Sequence, residues 1–269
     1  MTIVNVRAEN WNHLNDELYR ESWNDAIQRH RPADAFRGSP TDDFTLRSGL
    51  IRLGHAPERT REIEKSILRT FIKYAPPRAT QDSLWKWLSL AQHHGLPTRL
   101  MDWTYSPFIA LHFAVGELPD PDVDGVVWRV GYQNVHKKLP PEFRTEIEKA
   151  GLNLFGVEML EAVVPHLSRF ETLGTGKTFA LFFEPPSLDE RIVNQYALFS
   201  VMSDPAQAFD EWLEAHEDTF TRIIIPGRMK WEIRDKLDSM NITERVLFPG
   251  LDGLSRWLRR WYTPVNASE

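Results

Sequence analysis

Three stretches of this 269-residue chain place reactive side chains where a ligand could use them. The first is Phe36-Arg37-Gly38. An arginine offers a planar fork suited to phosphate, and a following glycine leaves backbone room for a ligand to approach. The second runs from Gln92 to Gly116, QHHGLPTRLMDWTYSPFIALHFAVG, and gathers His93, His94, Arg99, Asp102 and Trp103 within a few turns of chain. Asp102 caps the next helix, pairs with an arginine in the core, or serves a site, and the sequence weighs these evenly. The third is Arg191 to Phe199, where the Gln195 amide precedes an apolar run and either binds a ligand or caps a sheet.

The elements that must position these groups follow from local grammar. Leu84, Leu88 and Ala91 recur at helical spacing, and Gly95 ends that helix. Pro97 prevents it from resuming. Thr98 to Trp103 is predicted as a strand, with Leu100 and Asp102 on one face and Arg99, Met101 and Trp103 on the other. Ser106-Pro107 then starts a helix that Gly116 closes. Elsewhere the spacing predicts an opening helix over Trp11–Ile27 and a helix over Glu58–Tyr74 facing Ile63, Ile67, Phe71 and Tyr74 inward. Further helices are predicted at Pro141–Ala150 and Val157–Val163, and a closing one at Leu251–Tyr262. Strands are predicted at Gly125–Val130, Thr178–Phe183, Ala197–Met202 and Phe220–Ile225. Helices dominate the first half and strands interleave through the second, so the class is α+β. One compact domain over 1–269 is expected, with a helical part at about 1–30, a core at about 31–250 and a C-terminal helix at about 251–262.

Composition narrows the function classes. Apolar content of 42% and charged content of 26% belong to an ordinary globular protein. With no cysteine in the sequence, disulfides, thiolate metal sites and cysteine nucleophiles are excluded. A net charge of −6 argues against broad nucleic-acid binding, although a local basic groove stays open. No apolar run spans a membrane and the start lacks a signal-peptide pattern, so a cytoplasmic protein is expected.

Two tempting motifs are set aside. Gly174-Thr175-Gly176-Lys177-Thr178 looks like the end of a phosphate-binding loop, but that pattern needs a glycine where Glu171 stands, and a strand rather than a helix follows. Adjacent His93 and His94 diverge by about 100° on a helix and form no chelating pair, so no metal is expected. One of them faces a pocket or caps the helix end, and the other is exposed. Arg256, Arg259 and Arg260 read as a solvated helix face.

With these residues laid out, the chain resembles the FRG-domain family, named for a Phe-Arg-Gly motif. Phe36-Arg37-Gly38 and the run Gln92 to Thr104, with Pro107, Ala110, Leu111, Phe113 and Ala114 behind it, carry the resemblance. Arg191, Gln195, Phe199 and the closing Leu247–Gly253 extend it, while Met101 and His94 are mild departures. Such domains are mainly bacterial and often look like defence or toxin components. A second resemblance, of order and residue type, is to toxin-type ADP-ribosyltransferases, in which an aromatic-Arg-Gly strand, a strand leading into an Ala-rich helix and a later Glu or Gln follow in this order. It implies a split, mixed β-sheet core that holds NAD. Arg37, Asp102 and Gln195 would be catalytic, and Arg37, Gly38, His93, Thr98, Arg99, Trp103 and Tyr105 would hold the nucleotide. Arg37 would take the pyrophosphate, Trp103 or Tyr105 the nicotinamide, and Gln195 or Asp102 a ribose hydroxyl. Gln195 stands where a glutamate is usual. Three functions follow: an NAD-consuming enzyme (transferase or glycohydrolase), a nucleotide sensor without turnover, or an interaction module of a defence system.

Overall fold

The computed structural model describes residues 5–43, 45–76, 79, 82–174, 176–216 and 220–265. Its strands are β1 (Asn5–Arg7), β2 (Trp23–Asn24), β3 (Arg29–His30), β4 (Asp34–Ser39) and β5 (Leu100–Thr104). Then come β6 (Gly125–Gly131), β7 (Ala180–Phe183), β8 (Ala197–Met202) and β9 (Phe220–Ile225). The first helices are α1 (Trp11–Leu18), α2 (Pro57–Tyr74), α3 (Leu84–His93), α4 (Pro107–Val115), α5 (Tyr132–His136) and α6 (Pro141–Ala150). They are followed by α7 (Val157–Val163), α8 (Leu167–Thr172), α9 (Glu190–Asn194) and α10 (Phe209–Glu214). The last are α11 (Lys230–Ser239), α12 (Glu244–Leu247) and α13 (Leu251–Trp261). The class is α+β, as the sequence indicates. Among the described residues no helix is long and apolar enough to cross a membrane.

Seven strands form one sheet in the order β1-β9-β6-β4-β5-β8-β7, and only the β1–β9 pair is parallel. The sheet is therefore mixed, and it is nearly parted in the middle. β4 pairs with β6 along its whole length, but it meets β5 at a single position, Phe36 opposite Thr104. Packing follows this division. One face carries a continuous core in which Met101, Trp103, Trp128, Phe182, Leu198 and Phe209 meet. The other face carries two cores. Phe36, Val127 and Ile223 pack under α1, α4 and α11, whereas Leu100, Phe183, Phe199 and Val201 pack under α3, α6, α7 and α8. The gap between the two lies along the β4–β5 seam.

Local grammar explains the elements beside that seam. Ser83 caps α3 through its side chain. At the other end Gly95 adopts φ +79°, the Leu96 N–H reaches the Ala91 carbonyl and the Gly95 N–H reaches that of Gln92. This is the paired closure of a helix by a left-handed residue, with Leu96 packing back on the core. Ser106 accepts from the Ile109 N–H, and Pro107 opens α4. Along β5, Leu100 joins one core while Met101 and Trp103 join the other, which is the alternation the sequence predicts.

Gly38 corrects a sequence expectation. The space beside it does not await a ligand, because α4 crosses there. A Cβ at Gly38 would lie 1.9 Å from the Ala110 carbonyl oxygen and 2.6 Å from the Ala114 nitrogen. Gly38→Ala must push α4 off β4, so we expect a loss of about 3 kcal/mol in urea denaturation. A variant as stable as wild type would show that the helix does not approach this closely.

Two other expectations change. The opening helix ends at Leu18 and does not run to Ile27. Glu21 and Gln28 take positive φ, the Asn24 side chain accepts the Ala26 N–H, and residues 23–30 form the β2–β3 hairpin. The N-terminal part is thus strand, helix and hairpin, and not purely helical. In α2 the buried stripe is Thr60, Ile63, Glu64 and Leu68, while Tyr74 is 75% exposed.

Candidate functional site

A cleft of about 210 Å³ opens where β4 and β5 part. Phe36, Arg37 and Gly38 line it from β4, Asp102 to Thr104 from β5, Phe113 from α4, and Arg191, Gln195 and Ala197 from α9 and the start of β8. The structure thus brings Arg37, Gly38, Asp102 and Gln195 together from three separate stretches.

Arg37 reaches across the seam, and its Nη1 donates to the Asp102 backbone carbonyl. That contact takes the place of a ladder bond where the strands have separated. Among the described residues the guanidinium has no carboxylate within ion-pair distance and no second hydrogen-bond acceptor. Burial lowers its pKa, the Asp102 charge opposes this, and nearby Arg52 adds to the lowering. A guanidinium stays protonated under such pressure. Its remaining donors are available at the mouth of the cleft.

The Asp102 carboxylate is held from behind. Thr98 Oγ donates to Gln92 Oε1 at 2.6 Å, and Gln92 Nε2 donates to Asp102 Oδ2 at 2.8 Å. Thr98 itself is buried and accepts the Leu100 N–H. It positions a site residue and does not line the cleft. Gln92 was missed as a site residue, although it opens the Gln92–Gly116 run. Asp102 Oδ1 accepts no hydrogen bond among the described residues.

Gln195 Nε2 donates to the Leu247 carbonyl at 2.9 Å, as Asn194 Nδ2 does to Val246. These amides tie α9 to α12, and Gln195 Oε1 is left open among the described residues. Arg191 was read as part of the third stretch but not as a site residue. It is exposed, lies over the Phe248 ring and has no ion pair among the described residues. It also lines a groove of about 380 Å³ with Asp189, Phe248, Pro249 and Arg256, so the cleft continues past it. Phe113 is part of the FRG resemblance but was not read as a site residue, since nothing in α4 distinguishes it from core residues.

The other expected ligand-binding side chains point elsewhere, although the Trp103 backbone borders the cleft. Arg99 is fully buried on the far side of the sheet. It donates to Glu64 through Nε and Nη2, to Glu171 Oε1 at 2.8 Å and to the Ser203 carbonyl at 3.1 Å. The Trp103 ring sits in the core against Phe182 and Phe209 with its Nε1 donating to Ser200 Oγ, so it offers no surface to nicotinamide. Tyr105 donates to Glu184, away from the cleft. His93 is half-buried and contacts Asp189 at 2.6 Å, and Asp189 caps α9 through the Ile192 N–H. Burial lowers the His93 pKa, and the Asp189 charge offsets part of this. His93 thereby anchors the helix that carries Arg191 toward the cleft. His94 is exposed.

The sequence also misassigned Arg260, which is buried and not solvated. It makes paired hydrogen bonds to Glu244 and to Asp238. The Gly174–Thr178 run precedes β7, a strand, as expected, and Thr175 lies outside the described residues. Among those residues no three His, Asp or Glu side chains are grouped to hold a metal. A larger hollow, about 940 Å³, is an apolar groove along α2 and α3 lined by Ile67, Phe71, Tyr74, Leu90 and Leu96. The smaller cleft is the candidate site because charges from distant stretches converge there.

Residues 33–122 match the family model of the FRG domain. Over that segment the chain is similar to the FRG domain. No curated protein and no solved structure matches the chain. The matched FRG segment contains β4, α3, β5 and α4, and so supplies Arg37, Asp102, Gln92 and Phe113. The opposite wall, Arg191 and Gln195, comes from beyond the FRG match.

Proposed function

We propose that the cleft binds NAD or a related adenine nucleotide and that the chain is an NAD-consuming enzyme of ADP-ribosyltransferase or glycohydrolase type. One observation carries this reading: Arg37 is recessed, positively charged and without a carboxylate partner among the described residues, and a second unpaired arginine, Arg191, lines the same cleft. Two such cations favour a phosphate-bearing ligand. Asp102 Oδ1 and Gln195 Oε1 are open acceptors for ribose hydroxyls, and the half-buried Phe113 gives the cleft an apolar wall. The groove beyond Arg191 offers room for the second half of a dinucleotide. The seam between β4 and β5 fits the split sheet that the resemblance to ADP-ribosyltransferases implies.

In that reaction the ribose–nicotinamide bond breaks, nicotinamide leaves with the bonding electrons, and water or an acceptor side chain attacks the oxocarbenium-like carbon. The Asp102 carboxylate is the charge placed to stabilise that centre. One feature favours the second reading, a nucleotide sensor without turnover. Gln195 stands uncharged where such transferases usually carry glutamate, and its amide is held by the Leu247 carbonyl. Either activity suits a component of a bacterial defence system, with the acceptor macromolecule left open.

Arg37→Ala should weaken nucleotide binding about ten- to a hundredfold, since a charge-assisted hydrogen bond contributes roughly 1.5–3 kcal/mol. Arg37→Lys should recover only part, because an ammonium keeps the charge and loses the fork. Melting should stay near wild type in both. Calorimetry with NAD, ADP-ribose and ADP tests the binding, and nicotinamide release separates enzyme from sensor. Wild-type protein that binds none of the three ligands overturns the proposal.

A further inference from the structure

The cleft is too small to hold a nucleotide by itself. At about 210 Å³ it falls below the roughly 300–1,000 Å³ of a small-molecule site, and it enters that range only with the groove of about 380 Å³ beyond Arg191. Two features make the hollows continuous. Arg191 lines both. Phe113, on the cleft wall, meets the Phe248 ring of the groove edge to face, with ring centroids 6.2 Å apart. Phe248 is in turn covered by two guanidinium groups, Arg191 at 5.3 Å and Arg256 at 5.2 Å from the ring centroid. Arg256 is carried on α13, which the buried Arg260 fixes to Glu244 and Asp238.

The charges of the groove exclude a second phosphate site. Its carboxylates are Asp189, Glu190 and Asp252. Asp189 is engaged by His93, which leaves Glu190 and Asp252 to balance Arg191 and Arg256. Charges that cancel do not gather an anion, but they suit a flat, neutral, polar ring. A guanidinium plane stacks on a nucleobase, and a carboxylate accepts from a base's amino group. Asp252 and Arg256 can do both on one ligand. They stand four residues apart, on the same face of α13, and both line the groove. Among the described residues neither has an ion-pair partner.

We infer that the groove is the base subsite, with an adenine ring stacked on Arg256 and its 6-amino group donating to Asp252. This assignment rests on the cleft taking a nucleotide, and it places the one part of that ligand left without a partner. Arg37 and Arg191 then hold the phosphates between the base and the ribose beside Asp102, with Arg191 at the join of cleft and groove. The choice of base follows from the carboxylate. Adenine turns an amino donor toward Asp252, whereas hypoxanthine turns an oxo acceptor there and leaves both groups unpaired.

Calorimetry of the full chain with ADP and IDP tests this, because the two ligands differ only along the ring edge that carries the 6-amino or 6-oxo group. ADP should bind about tenfold tighter than IDP. Asp252→Ala should bring ADP to the level of IDP without weakening IDP. Arg256→Ala should weaken both about tenfold through the lost stacking surface. Arg37→Ala should weaken both alike and keep their ratio, since it acts on the phosphates. Asp252 and Arg256 are exposed, so melting should stay at the wild-type temperature in both variants. Equal binding of ADP and IDP by the wild type, or a ratio that survives Asp252→Ala, overturns the base assignment and leaves the phosphate site standing. An Arg256→Ala protein with wild-type affinity does the same. A wild type that binds neither ligand overturns the nucleotide reading and the base subsite with it.

Discussion

Arg99→Ala should lower stability by about 3–5 kcal/mol, more than the loss expected at either cleft arginine. Arg99 is 2% exposed and so is Glu64, the carboxylate it grips through two nitrogens. Burial disfavours the arginine's charge, yet Glu64 and Glu171 outweigh this and leave its pKa raised. Removing the guanidinium strands Glu64 in the core and also leaves the Ser203 carbonyl without its donor. The loss is mostly the cost of the abandoned carboxylate. Replacing both partners, as in Arg99→Met with Glu64→Leu, should therefore return much of the stability. Chemical denaturation of the two single variants and the double variant checks this. An Arg99→Ala protein within about 1 kcal/mol of wild type would remove the buried ion network from the account of the fold.

The second large effect is expected in acid. His112 and His136 are buried and neutral. His112 Nδ1 accepts from Arg234 Nη1 at 2.7 Å, which puts its proton on Nε2, because a guanidinium only donates. Burial, reinforced by the Arg234 charge, presses its pKa to about 3; Arg260 adds to this and Glu244 opposes it. His136 donates from Nδ1 to the Asn153 carbonyl and accepts the Phe182 N–H on Nε2. Burial takes its pKa to about 4. Both lie below the unfolded value of roughly 6.5, so between these limits the unfolded chain binds the extra protons. The stability the two groups contribute is fully present above about pH 6.5 and is lost as pH falls toward 4. Each should remove about 1.4 kcal/mol per pH unit, or nearly 3 together. Urea midpoints measured from pH 7 to 5.5 give the slope, and this window lies above the range where the unfolded chain's carboxylates, which Glu244 and Asp204 undercut in the fold, begin to take up protons. His136→Gln should reduce the slope by about 1.4 kcal/mol per pH unit whatever it does to stability at pH 7, the lowered His93 contributing its own smaller part in both proteins. An unchanged slope would mean that His136 is protonated in the native state.

What the sequence disclosed was governed by local signals. Ser106-Pro107 and Gly95 mark helix ends by the hydrogen bonds they make within a few residues, and both ends lie where the sequence puts them. Alternation along β5 separates Leu100 from Met101 because the strand is buried on both faces. Tertiary partners were not legible. Arg37 and Arg99 look alike as arginines beside buried strands, yet one faces an open cleft and the other is enclosed by Glu64. That difference is set by a residue on α2 and by the parting of β4 from β5, and neither has a local signature. Gly38 misled for the same reason, since the crossing of α4 is a fact about packing. Arg260 reads as a surface residue until Asp238 and Glu244 are seen on the helices behind it.

The pairing of β1 has a consequence for the order in which the chain assembles. Asn5 lies beside Arg222, and Arg7 beside Ile224, so among the described strands the first in sequence is completed by the last. During synthesis β1 waits unpaired until β9 (Phe220–Ile225) has been made, and closing so long a loop carries a large entropy cost before any contact repays it. Helices α3 and α4 and strand β5 form from near neighbours and are not delayed in this way. The seam that builds the cleft can thus be organised early, whereas the β1–β9 edge of the sheet closes late.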